Sequence, residues 1–163
     1  MAAFVVQEHH ASRLHFDFRL EIGGVFKSWA IPKGPSMNPT DKRLAVMVED
    51  HPLVYGGWEG VIPEAHYGAG PVVIWDKGTF EPRDPAVPEQ GIENGKLSFV
   101  LNGKKIKGVF ALVKFKRTGM KGNEWLLMKR PDEDADPSFK LDTALTPAKR
   151  GSLVLQEPPC STS

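Results

Sequence analysis

The sequence predicts a mainly β protein: a small antiparallel β-barrel of about eight strands with one or two short helices. Three observations predict it. Residues 14–21 read Leu-His-Phe-Asp-Phe-Arg-Leu-Glu, an apolar/polar alternation that fits a strand with one buried face. Sixteen Gly and fourteen Pro in 163 residues cut the chain into short pieces, which suits strands and turns better than a helical bundle. Asn102-Gly103, between two apolar runs, is a two-residue hairpin signal.

The elements follow in chain order. Leu14 to Glu21 is the first strand, and Gly23-Gly24 turns it into Val25 to Ala30. Pro32 to Pro39 is a loop rich in Pro, Gly and Ser. Arg43 to Glu49 alternates Leu44, Val46 and Val48 on one side, and Gly60 to Ile62 is a short strand. Pro71 to Trp75 is an apolar run ended by Asp76-Lys77-Gly78, and residues 82–93 read as a surface loop. Lys96 to Leu101, Val109 to Phe115 and Glu124 to Lys129 complete the set, with Gly119 and Gly122 between the last two. The helical expectations are one turn at His10 to Arg13 and another at Ser138 to Leu145. Residues 1–145 are expected to form the barrel domain and 146–163 a polar tail, with Pro158 to Ser163 disordered.

Composition excludes several classes. The only cysteine, Cys160, rules out a disulfide framework and a Cys-based zinc site. Residues 1–7 carry too short an apolar run for a signal peptide, and no segment is long enough to span a bilayer, so a cytoplasmic protein is expected. The net charge of +1 does not point to nucleic acid, but its distribution is uneven. Lys104, Lys105, Lys107, Lys114, Lys116, Arg117, Lys121, Lys129 and Arg130 share residues 101–130 with one acid, Glu124. Such a concentration can contact phosphates, or form a solvated hairpin balanced by the acids of 132–136.

The polar face of the first strand carries the chemistry. His15, Asp17 and Arg19 occupy alternate positions and point the same way. His15 and Asp17 can reach one divalent ion, and His9 or His10 can supply a third ligand. Two imidazoles and a carboxylate suit Mn, Fe or Zn and leave positions for water and substrate. The competing reading is an ion pair of Asp17 with Arg19 or Arg43. Arg13, Arg19 and Arg43 are candidate anion clamps, Arg19 foremost because it shares the face of His15 and Asp17. His51, between a strand and Pro52, can neutralise a phosphoryl oxygen or act as a general acid, and Tyr55 can donate a hydrogen bond. His66 has no patterned partner. Neither the Lys33-Gly34 loop nor the Tyr67 to Gly70 turn is a phosphate-binding loop of the strand-to-helix kind.

These residues fall into blocks. Gln7-Glu8-His9 precedes Ala11 to Glu21. Ser28-Trp29-Ala30-Ile31-Pro32-Lys33-Gly34-Pro35-Ser36 is next, then Lys42 to Val46, Val48 to Leu53, and Tyr55. Glu59-Gly60, Ile62-Pro63, Tyr67 to Gly70, Trp75 to Gly78 and Trp125 to Lys129 continue the series. Their content and order resemble the 3′-phosphoesterase domain of bacterial DNA ligase D, over about residues 4–130. That resemblance implies a small β-barrel enzyme that trims 3′ ends in non-homologous end joining. The implied activity is manganese-dependent, with Co2+ or Zn2+ as alternatives. It removes a terminal ribonucleoside to leave a 3′-phosphate, then the phosphate to leave a 3′-hydroxyl. It further implies His9, His15 and Asp17 as metal ligands, and Arg19, Arg43, His51 and Tyr55 as the residues that hold the scissile phosphate or support that shell. The implied partners are DNA primer-template 3′ ends, including ribonucleotide-terminated ends, and the ligase, polymerase and Ku factors of end joining.

Three departures from the family pattern stand out. Glu8 replaces a usual Lys, and Met47 a frequent polar residue. Larger members carry an N-terminal extension whose Arg, Asp and Glu assist the diesterase step, whereas this chain opens at the first motif, which makes the monoesterase the firmer expectation. Two other function classes compete. One is a non-catalytic module that binds DNA ends. The other is an Fe(II) oxygenase using His15, Asp17 and a distal His51 as a facial triad.

Overall fold

A computed structural model describes residues 2–64, 66, 68–115 and 122–159. The expectations for Tyr67, Lys116, Arg117, Gly119, Lys121, Cys160 and the end of the tail lie outside those residues. Nine strands are present: β1 Ala2–His10, β2 Leu14–Ile22, β3 Val25–Ile31, β4 Lys42–His51, β5 Gly60–Ile62, β6 Gly70–Asp84, β7 Lys96–Asn102, β8 Lys107–Lys114 and β9 Glu124–Lys129. A 3-10 turn spans Leu53–Gly57, and two short helices, α1 Pro88–Asn94 and α2 Pro147–Ser152, complete the set. All strand neighbours are antiparallel, in the order β1-β2-β3-β4-β9-β8-β7-β6, and β6 pairs back onto β1. The expected barrel is therefore closed, with β5 added along β6.

The alternation in β2 sorts its side chains as the sequence predicts. Phe16, Phe18, Leu20 and Ile22 enter the core, and Phe18 sits with its ring about 6 Å from those of Phe4, Trp29 and Phe99. Each such buried side chain stabilises the fold by about 1.5–3 kcal/mol relative to exposure. Gly23 and Gly24 both take positive φ, 67° and 82°, which a tight β2–β3 hairpin requires.

Several elements differ from expectation. Residues 2–10 form a strand, because pairing with both β2 and β6 outweighs the weak local signal. The run from Pro71 does not end at Asp76. The Asp76 carboxylate instead accepts the backbone N–H groups of Lys77, Lys104, Lys105 and Ile106, anchoring the turn after β7 while β6 continues to Asp84. Residues 88–93 of the expected loop, together with Asn94, are α1. No helix forms at Ser138 to Leu145. Phe139, Leu141 and Ala144 pack on the core, and Glu8, buried in β1, accepts the N–H groups of Ala144 and Leu145. The Glu8 departure thus has a structural use: its carboxylate draws this segment across the barrel. No helix among the described residues is long and apolar enough to cross a membrane.

Two members of the basic concentration are structural. Lys105 lies over the Trp75 ring. Lys129 is buried, donating to Asp132 at 2.6 Å and to the Arg130 carbonyl at 2.9 Å. Desolvation pushes the Asp132 carboxyl up, but Lys129 and the N–H groups of Val109 and Asp134 outweigh it and hold its pKa below the ordinary value. The stabilisation is therefore present above the usual carboxylate range and lost as pH falls through the depressed pKa. Asp132→Asn should cost about 3 kcal/mol, since it strands a buried ammonium. It should also flatten the acid limb of stability below about pH 4. Urea melts of both proteins across that range check this, and equal slopes would refute it.

Candidate metal centre

The β1–β2 register builds the centre. His9 pairs with His15, Gln7 with Asp17 and Val5 with Arg19, all on the outer wall of the barrel. Alternation settles the choice between the adjacent histidines. His10 turns to the other face of β1, where Nε2 lies 2.6 Å from Glu8, while His9 joins His15 and Asp17. His9 Nδ1 is 3.4 Å from Asp17 Oδ2, and His15 Nε2 is 3.2 Å from Asp17 Oδ1. One ligand atom from each residue falls within 4.8 Å of the other two. The far nitrogens face backbone carbonyls: His9 Nε2 lies 2.5 Å from Gly68 O, and His15 Nδ1 3.3 Å from Arg13 O. Imidazoles oriented in this way present their remaining nitrogen to a cation, and the donor set fits a divalent metal.

Arg19 continues the same face at 2% exposure. Its Nε donates to Gln7 Oε1 at 2.6 Å, and Nη1 to Ser28 Oγ at 2.8 Å. Nη2 lies 3.7 Å from Asp17, and the guanidinium packs against the Tyr55 ring at 4.6 Å. Gln7, with no exposed surface, also donates from Nε2 to the carbonyls of Tyr55 and Trp58, so it fastens the 3-10 turn to the wall. Phe26 fills the space beneath Gly56, where a Cβ would meet its ring at 2.6 Å. His51 closes the group, with its ring centroid 4.8 Å from that of Tyr55 and Nδ1 3.0 Å from Glu49 O.

Electrostatics follow from this packing. Desolvation raises Asp17, but hydrogen bonds from His15 and His9 and the charge of Arg19 outweigh it, holding the carboxyl well below its ordinary range. Burial works to lower His15, yet Asp17 wins and its pKa is raised. His51 is lowered, first by burial and then by Arg19.

Six of the seven residues singled out from the sequence thus converge: His9, His15, Asp17, Arg19, His51 and Tyr55. Arg43 stands apart near the start of β4, paired across the strands with Leu127 and 3.5 Å from Asp41. Arg13 is exposed, and His66 lies 2.9 Å from Glu157. Gln7 and Ser28 carried no assignment, although Gln7 shares the parity of His9 in β1. A metal must displace the proton that Asp17 helps His15 to hold. Divalent-ion affinity should therefore fall about tenfold per pH unit below the raised His15 pKa, and Asp17→Asn should abolish it. Calorimetric titration with MnCl2 from pH 6 to 8.5 tests this, and a pH-independent affinity would count against the triad.

Residues 7–114 match the family described as the DNA Ligase D 3′-phosphoesterase domain. The chain is 52% identical over 156 residues to the multifunctional non-homologous end joining protein LigD of Pseudomonas aeruginosa, covering 94% of this chain and 18% of that protein. It is 43% identical over 135 residues to the protein of the same name from Mycolicibacterium smegmatis, covering 80% of this chain and 17% of the relative. For the multifunctional non-homologous end joining DNA repair protein LigD of Mycobacterium tuberculosis the identity is 42% over 143 residues, 85% of this chain and 17% of the relative. The chain spans less than a fifth of the length of these relatives. A closed β-barrel carrying this match over most of its length, the chain belongs to the DNA ligase D 3′-phosphoesterase domain family.

Proposed function

We propose that this domain is a metal-dependent phosphoesterase that heals DNA 3′ ends in non-homologous end joining. It hydrolyses a terminal 3′-phosphate and, at ribonucleotide-terminated ends, the diester that precedes it. One observation carries this reading: the Asp17 carboxylate joins a two-histidine cluster on one side to a buried arginine on the other. A divalent ion, manganese first and Co2+ or Zn2+ as alternatives, would be held by His9, His15 and Asp17 and would supply Lewis acidity towards a phosphoryl oxygen.

The chain's own residues do the rest. Arg19 brings a fixed positive charge to the phosphate site from beneath Tyr55. Gln7 and Ser28 hold it in place, so no reorganisation is needed as charge builds on the equatorial oxygens. Burial and Arg19 both depress the pKa of free His51, which favours its neutral form. Its Nδ1 faces Glu49 O, which leaves the Nε2 lone pair towards the site. A phosphate dianion beside Arg19 offsets the cationic charge and favours protonation of His51; as water bonds to phosphorus and releases a proton, the bond to the leaving oxygen breaks and that oxygen takes the His51 proton. Tyr55 lies against both His51 and Arg19 and keeps them in register. Arg43, near the other end of β4 and with the parity of Ala45 and Met47, stays outside this scissile-phosphate set.

Phosphate release from a primer-template ending in 3′-phosphate, with MnCl2, tests the proposal. The parent should turn over, EDTA and His15→Ala should abolish release, and Arg19→Ala should lower kcat by roughly 10²–10³. Release that survives EDTA or His15→Ala would sink the metal-dependent reading. Tight binding of the ends without turnover in any of the three metals would leave an end-binding module instead.

A further inference from the structure

β4 carries a second feature on its outer side. Ala45 and Met47 face the core, so Leu44, Val46 and Val48 face out, with Lys42 before them on the same side. Leu44 and Val48 are each 38% exposed. Leu126 of β9 extends this face beside Leu44, and Ala30 of β3 extends it beside Val46. The face is continuous with the metal centre through strand register. Asp17 pairs with Ala30 and Ala30 with Val46, while Arg19 pairs with Ser28 and Ser28 with Val48. Two strand spacings separate Asp17 from Val46, about 10 Å. Leu44 to Val48 extends about 13 Å, the length of three or four stacked nucleotides.

We propose that this aliphatic shelf binds the last nucleotides of the strand whose 3′ end is processed. It rests on the phosphoesterase reading and names how that site holds its substrate. Sugars and bases lie over Val48, Val46 and Leu44 while the terminal phosphate reaches Arg19 and His51. Contact with apolar side chains is indifferent to base identity, as suits an enzyme that meets arbitrary ends. Charge agrees with this occupant. Lys42, at the far end of the shelf, is exposed and has no ion-pair partner among the described residues, so it can meet an upstream phosphate. Of the nearby acids, Asp50 is paired with Lys27 at 3.0 Å, Asp41 lies 3.5 Å from Arg43, Glu124 is buried and accepts the Gly122 N–H, and Glu49 is exposed beside His51.

The test uses a fluorescein-labelled primer-template ending in 3′-phosphate. Anisotropy gives Kd and phosphate release gives KM and kcat, for the parent, Leu44→Asp, Val46→Asp and, as a control for added charge, Val87→Asp at the exposed N-cap of α1. Leu44→Asp and Val46→Asp should each raise Kd and KM roughly tenfold, with the loss on KM rather than kcat, while Val87→Asp stays within about twofold. Should an Asp variant fail to fold by thermal melting, Leu44→Thr and Val46→Thr replace it, with an expected rise of roughly threefold. Normal turnover with unchanged Kd and KM would overturn the shelf and leave the phosphoesterase standing. Binding weakened by Leu44→Asp and Val46→Asp, in a parent that hydrolyses nothing, would do the reverse. A parent dimer that Leu44→Asp dissociates in sedimentation velocity would show that a second copy covers the shelf, and would also overturn it.

Discussion

A guanidinium held out of water on the outer wall of a barrel must have its charge and its donors answered, or it costs several kcal/mol. Arg19 sets that demand, and the outer architecture is the answer to it. Gln7 comes from β1, Ser28 from β3, Asp17 from β2 itself and Tyr55 from the turn after β4. Four separate stretches of chain are therefore registered on one side chain. Asp17, drawn towards Arg19, is also the carboxylate shared by His9 and His15, so the geometry of the candidate metal cluster inherits the precision of the arginine's cradle. Gln7 adds a second constraint, since its amide accepts from Arg19 while donating to the backbone of the turn that carries Tyr55.

The same strand serves stability and chemistry through its two faces. Phe16, Phe18 and Leu20 sit among the aromatic side chains of the interior, while His15, Asp17 and Arg19 stand on the wall outside. A slip of one residue would exchange these sets, driving three ionisable groups into the barrel and its core phenylalanines into solvent. The core thus fixes the register, and the register fixes the site. This division also explains why polar residues such as Gln7 and Ser28 are fully buried without belonging to the core: they lie under the 3-10 turn, outside the barrel.

Much of this was legible in the sequence where one face of a strand is apolar and the other is not. β2 is the clearest case, and its polar face names three of the site residues. β1 was not legible, because it is covered on both sides: Val5 packs outside the barrel and Val6 inside, so no alternation survives. Without β1 the choice between His9 and His10 had no local basis, whereas pairing with β2 decides it at once. β6 was shortened by Asp76-Lys77-Gly78, a sound turn signal whose carboxylate binds the backbone of a different hairpin. The segment before α2 looked helical, but Glu8 and the core hold it extended across the barrel through contacts more than a hundred residues apart. Arg43 was grouped with Arg19 by its chemistry, and only the fold sets it on β4, 3.5 Å from Asp41, while Arg19 lies on β2.

Closure of the barrel has a consequence for how the domain behaves in company. Its eight barrel strands all have two neighbours, and β5 is the one appended strand. The outer edge of β5 is not bare. The Val61 N–H donates to Val154 O, the Gln156 N–H donates to Val61 O, and a parallel bridge joins Val61 to Leu155. Among the described strands, then, no long row of unpaired backbone groups is offered to another chain. A domain that spreads reactive polar groups and aliphatic side chains over its outside is thereby guarded against templating strand addition, the usual route by which β proteins aggregate.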